Sequence, residues 1–155
     1  MKHVSHSKIG VTLIEIIVAM AIVVIVGVVG VVALNPGGQF ATARNNQRIA
    51  HVNTILNSIR LNIADTRTGV FTCAAGDIPT TTKKMAGGAL NYDIAPCLVP
   101  TYAFTLPFDP SAPGAHYTTN SDYDTGYNVL KNASTGQITV SAPAAELGKT
   151  ISVTR

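Results

Sequence analysis

Residues 11–34 read VTLIEIIVAMAIVVIVGVVGVVAL, and from Ile16 to Leu34 no residue is charged. As a helix these 24 residues would reach about 36 Å, against a hydrocarbon core of about 30 Å. The stretch therefore predicts a membrane-spanning helix. Its one charge, Glu15, stands near the beginning. A charge in such a span costs about 2.5–3.5 kcal/mol at the helix centre and less near the interface, so Glu15 needs a compensating partner. No cation lies within the apolar stretch, and the partner is expected from outside it.

Residues 1–10 precede the span, carry Lys2 and Lys8, and end in Gly10. Basic residues flanking a span stay on the cytoplasmic side, which sends everything after Leu34 outward. The whole chain has a formal charge of +3, but residues 11–155 hold nine basic and eight acidic side chains. The basic pI is therefore no argument for a nucleic-acid partner. At 155 residues there is room for one compact head and a membrane stalk. Two simpler readings compete. An ordinary secretory signal could be cut near Val31-Val32-Ala33, but the apolar run is too long and contains Glu15. A plain one-span anchor leaves Glu15 unexplained.

Lys8, Gly10, Val11, Thr12, Leu13, Ile14 and Glu15 together resemble the processing motif of type IV pilins and of the pseudopilins of type II secretion. The motif is a short basic leader ending in Gly, then an apolar residue, Ser or Thr, Leu, an aliphatic residue and Glu. Ile9 and Val11 depart from the commonest pattern, in which a polar or basic residue precedes the Gly and Phe follows it. The resemblance implies that a prepilin peptidase cuts between Gly10 and Val11 and methylates the new amine of Val11. It also implies that Glu15 pairs with the amino terminus of a neighbouring subunit as a filament assembles. Physics favours that pairing independently, because a carboxylate in an apolar bundle is costly unless matched, and a freshly made amine is the obvious cation.

The fold expected is α+β and pilin-like: a long N-terminal helix, membrane-spanning in its first half and amphipathic in its second, packed on a small C-terminal antiparallel sheet. The divisions are a leader over 1–10, a membrane and polymerisation helix over 11–34, a kink and amphipathic helix over 35–64, and a β-rich head over 65–155. Asn35-Pro36-Gly37-Gly38 interrupts the helical pattern, since Pro lacks an amide donor and each Gly costs about 1 kcal/mol of helix propensity. Beyond it Ile49, Val52, Leu56, Ile59 and Ile63 recur at spacings of three and four and mark one apolar face. Arg44, Arg48, His51 and Arg60 fall on the polar remainder.

Residues 70–113, rich in Gly, Pro and Thr, read as a loop region, while strands are expected at 127–131 and 137–141 around a five-residue turn. Ile151 and Val153 supply a third strand. Cys73 and Cys97 form an even pair in an outward-facing head, too far apart for a CxxC arrangement, so a disulfide is expected. Closing a loop of about 25 residues would stabilise the head by roughly 3 kcal/mol.

The sequence gives no reason to expect an enzyme. Of the four histidines, His3 and His6 belong to the leader, and His51 and His116 have no nucleophile or metal-ligand pattern around them. A weak candidate calcium site is Asp109, Asn120, Asp122 and Asp124, whose oxygens suit a hard cation and whose position is similar to that of the calcium loop of type II pseudopilins. As a solvated run of turn-forming residues the same cluster needs no ligand. No other cofactor is expected. Asn132-Ala133-Ser134 fits a glycosylation sequon at a hairpin tip, though it also serves as a turn. Lys83-Lys84 are too few for a phosphate track. The partners expected are further copies of the chain in a helical homopolymer, the prepilin peptidase, the inner-membrane assembly machinery, and lipid before assembly. Two filament readings stay open, an extracellular pilus subunit and a pseudopilin in a short periplasmic filament, beside a monomeric anchored binding module.

Overall fold

The computed structural model describes residues 10–67 and 69–155, with the side chains of 32–34 left aside. Residues 1–9, which fall within the expected leader and include Lys2, His3, His6 and Lys8, lie outside the described residues. Helix α1 runs over Leu13–Leu34. Thr12 closes its N-terminus: the hydroxyl oxygen accepts the Glu15 N–H at 3.3 Å, and the carbonyl accepts those of Glu15 and Ile16 at 3.1 and 3.3 Å. Thr12 and Glu15 thus stand at the spacing of a capping box, and the carboxylate lies at the positive end of the helix dipole. All described side chains of α1 are exposed. By length and composition the helix suffices to cross a membrane.

The expected interruption after α1 narrows to one residue. Asn35 adopts the left-handed region at φ 40°, which Asn tolerates better than most residues. Its carbonyl accepts the Gly38 and Gln39 N–H groups at 3.0 and 3.3 Å, and its Oδ1 also accepts Gly38 N–H at 3.3 Å. Helix α2, Pro36–Thr66, begins at once behind this cap. Pro36 stands where no amide donor is needed, so Pro36-Gly37-Gly38 form a first helical turn and not a melted one.

Phe40–Arg155 make up one compact unit, so most of α2 belongs with the sheet. The strands are β1 Lys83–Ala86, β2 His116–Thr119, β3 Asp122–Lys131, β4 Ile138–Ala142 and β5 Ile151–Thr154. They form an antiparallel sheet in the order β1-β3-β4-β5, with β2 paired to the start of β3. On β3 the inward positions are Tyr123, Thr125, Tyr127 and Val129, and on β4 Ile138, Val140 and Ala142. These side chains meet Val52, Ile55, Leu56 and Ile59 of α2 in the core. Ile63 packs at the core's margin, whereas Ile49 is 43% exposed. The apolar face is therefore rotated from the expected one: it continues toward the N-terminus through Arg48 and Asn45, both fully buried, and not through Ile49. That placement corrects the expectation of Arg48 on the polar surface, and the physical reason is its ion pairing, described below.

The β3–β4 hairpin turns through Asn132 to Gln137 as expected, with Asn132 N–H donating to Gln137 O at 2.8 Å. Asn132 Oδ1 accepts the Ser134 and Thr135 N–H groups at 2.9 and 3.1 Å, and Gly136 takes φ 71°. Strand β3 starts five residues earlier than expected, and residues 70–113 hold more order than a loop. They contain β1 and a short helix α3, Ala95–Leu98. Cys73 and Cys97 are joined by a disulfide with a Cα–Cα distance of 5.2 Å. Asn62 on α2 anchors this region: its Nδ2 donates to Thr72 O at 3.1 Å and Cys97 O at 3.4 Å, and its Oδ1 accepts Thr72 N–H at 2.9 Å.

Candidate functional site

Eight carboxylate side chains occur in the chain, and seven of them are in the compact unit. All seven have a side-chain partner. Asp65 accepts from Tyr102 OH at 2.8 Å, Asp77 from Lys131 at 2.5 Å and Asp93 from Tyr123 OH at 2.8 Å. Asp122 meets His116 at 3.1 Å, and Asp124 pairs with Lys84. Asp109 and Glu146 are held by arginines. The eighth, Glu15, has no hydrogen-bond or ion-pair partner for its carboxylate among the described residues. Around it Leu13, Ile14 and Ile16 are 52–78% exposed. Immediately before the helix, Gly10 and Val11 are exposed in irregular backbone, and space around the Gly10 Cα is open.

The densest polar cluster of the head lies between the N-terminal half of α2 and two loops. Arg48 grips Asp109 with two bonds, Nε to Oδ2 at 2.8 Å and Nη2 to Oδ1 at 3.0 Å, with both side chains fully buried. Its Nη1 donates to Asn45 Oδ1 at 2.9 Å and Glu146 Oε2 at 2.8 Å, and Nη2 reaches Ser111 Oγ at 2.7 Å. Arg44 holds Glu146 from the other side at 2.7 and 2.6 Å. The Asn45 carboxamide also pairs with the Glu146 backbone, donating to its carbonyl at 2.9 Å and accepting its N–H at 3.0 Å.

The electrostatics follow from these contacts. Hydrogen bonds from Arg44 and then Arg48 lower the Glu146 pKa to about 2. Burial alone would raise that of Asp109, but Arg48 and the N–H groups of Ser111 and Ala112 hold it below the ordinary value. Bonding to Asp109 raises Arg48 above the ordinary arginine. One turn on, His51 Nδ1 lies 2.9 Å from Tyr127 OH, and burial lowers its pKa. No buried side-chain nitrogen or oxygen among the described residues lacks a hydrogen-bond partner. The cluster is thus a closed clamp fixing two loops to α2.

The candidate calcium residues are dispersed onto these and other partners. Asp109 is engaged by Arg48, while Asn120 accepts from Tyr117 OH at 2.5 Å and donates to Val99 O at 3.2 Å. Asp122 faces His116, and Asp124 faces Lys84 and the Gly126 N–H. Among the described residues no group of three or more His, Cys, Asp or Glu is arranged to hold a metal ion. His116 Nδ1 lies 2.7 Å from Gly114 O, and that bond and Asp122 raise its pKa. Lys83 donates to Leu90 O at 3.2 Å. The sequence reading missed the clamp. The available signal was the spacing Ala41, Asn45, Arg48, Val52, Ile55, Ile59, Asn62, a helical stripe with polar members in line with the core.

Comparison of the chain with protein-family models, with curated proteins and with solved structures gives no match.

Proposed function

We propose that this chain is a pilin-like structural subunit, cut after Gly10 and assembled through α1 into an extracellular type IV pilus-like filament. The observation that carries the reading is Glu15, the one carboxylate of eight with no partner among the described residues, placed in an apolar helix with every described side chain exposed. An unpaired carboxylate inside a bundle is costly, and the amine freed at Val11 of an adjacent copy is a matching cation. The exposed, irregular backbone at Gly10 and Val11 supports access by a prepilin peptidase. A long helix leading into a small antiparallel head closed by one disulfide agrees with the same reading. Identical subunits added by a non-closing operation give an open helical fibre.

The account places the precursor in the cytoplasmic membrane with its N-terminus inside, held by the inner-membrane assembly machinery until it joins the filament. Glu15→Gln tests it. The expected outcome is normal insertion and cleavage with assembly reduced at least about tenfold, because an uncompensated buried charge costs about 3–5 kcal/mol per contact. The measurement is the ratio of processed membrane-held subunit to sheared filament in variant and parent. Normal filament yield from the variant would overturn the role of Glu15. A filament confined to the periplasm would favour the pseudopilin alternative.

A further inference from the structure

The clamp holds a loop whose tip makes no use of it within the fold. Between β4 and β5, Glu146 is fixed to Arg44, Arg48 and Asn45, and the next residue, Leu147, is 57% exposed at φ 58°. A leucine rarely adopts that left-handed conformation, and here its side chain gains little burial in return. Lys149, two residues on, is exposed and has no ion-pair partner among the described residues. On α2, Phe40 stands one turn before Arg44 and is 65% exposed. Arg44 and Asn45 contact residue 146 directly, so Leu147 follows a residue held one turn of α2 from Phe40, and Lys149 is two residues further along the same loop.

Chain connectivity says what these residues meet. Helix α1 has 22 residues, about 33 Å, which matches a hydrocarbon core of about 30 Å. Pro36 follows Leu34 by two residues, and Phe40 lies only about 6 Å further along α2. The headgroup layer on each side of a bilayer is about 5–7 Å thick, so Phe40 is within reach of it. Resting on the membrane reading of α1, we propose that Phe40, Leu147 and Lys149 form a lipid-docking face. The two apolar side chains enter the headgroup–acyl boundary and Lys149 meets anionic headgroups, which seats the head on the membrane surface before assembly. Aromatic and apolar side chains paired with a nearby cation are the composition that such interfaces take.

The chain has no tryptophan, so single substitutions give a site-specific optical probe. Full-length Val24→Trp, Phe40→Trp, Leu147→Trp and Phe104→Trp are reconstituted into phosphatidylcholine vesicles with or without phosphatidylglycerol, carrying bromines at shallow or deep acyl positions. Phe104 is 93% exposed, so it controls for the affinity of tryptophan itself for interfaces. The expected result is deep quenching of Val24→Trp and shallow quenching of Phe40→Trp and Leu147→Trp, at least about twofold stronger than for Phe104→Trp. Adding Lys149→Glu to Leu147→Trp should reduce that quenching in phosphatidylglycerol vesicles more than in phosphatidylcholine alone. Deep quenching of Val24→Trp with no shallow quenching at 40 and 147 would overturn the docking face while leaving the span intact. Loss of quenching at Val24→Trp would overturn the span and the docking face with it. Blue-shifted emission at 147 that is insensitive to bromine would identify a second copy as the occupant, and unchanged quenching with Lys149→Glu would overturn the ionic contact.

Discussion

Arg48 is the residue on which the head's polar interior turns. It is fully buried, as is Asp109, so removing one partner strands the other charge away from water. Arg48→Met should destabilise the head by about 3–5 kcal/mol, read as a lowered midpoint in chemical denaturation. Pairing it with Asp109→Leu should recover part of the loss, because no carboxylate is then left unmatched in the core. The same residues set the response to acid. Glu146 has a folded pKa of about 2 against an ordinary 4.5, so its contribution is fully present above 4.5 and is lost as the pH falls toward 2. Asp109 acts in the same direction from its ordinary 3.8. His51 is held neutral by burial below its ordinary 6.5, so the unfolded chain takes up that proton first and stability begins to fall below pH 6.5. Denaturation midpoints should therefore decline below about pH 6.5 and again toward pH 2, and His51→Gln should remove the upper stage. His116, whose pKa is raised, acts in the opposite direction and adds stability as the pH falls through its own titration. Neither Arg48 pairing was legible in the sequence, because Asp109 is 61 and Glu146 98 residues away; Asp109 reads there as a candidate calcium ligand, and nothing near Glu146 marks it as a partner.

Among the elements, those with a strong period were legible and those held by contacts were not. The β3–β4 hairpin announced itself by alternating apolar residues around a turn-forming link, and α2 by its three- and four-residue spacings. β1 offers only Met85 and Ala86 as buried apolar side chains, and α3 is four residues long, so neither carries a readable period. β1 is positioned by pairing with β3, and α3 by the Ile94 and Ala95 N–H groups donating to Tyr123 OH and by the disulfide at Cys97. The first half of β3 escaped notice for a related reason. Gly126 stands in it at φ 71°, a position reserved for close approach: a Cβ there would lie 2.9 Å from Asp109 Cβ and 3.2 Å from Ala112 Cβ. Gly126→Ala should lower stability by about 1–3 kcal/mol, through strain at positive φ and displacement of the Asp109 loop from Arg48. Denaturation of this variant alone and combined with Arg48→Met tests the coupling. Purely additive losses would show that the loop and the clamp are independent.

For the whole molecule, a compact head in which no buried side-chain nitrogen or oxygen among the described residues lacks a partner stands in contrast to a helix whose described side chains are all exposed. The apolar faces of α2 and the sheet meet one another, whereas the described side chains of α1, from Leu13 to Val31, are exposed. A helix of that length and composition suffices to cross a membrane, and lipid or other helices are the apolar surroundings that suit it. The account assigns it both in turn, membrane first and filament afterwards, with Glu15 as the element that makes the exchange selective. The helix and its single charge were plain in the sequence because both are local. What covers them is a property of other molecules, and the motif at Gly10 to Glu15 supplies that part only by resemblance. The most direct test is the N-terminal peptide mass of the subunit recovered from sheared surface filaments. The account predicts a chain that begins at Val11 and is heavier than its sequence by one CH2, a methyl group in place of an amine hydrogen. A chain beginning at Leu34, or one found intact in the membrane with no filament fraction, would contradict it.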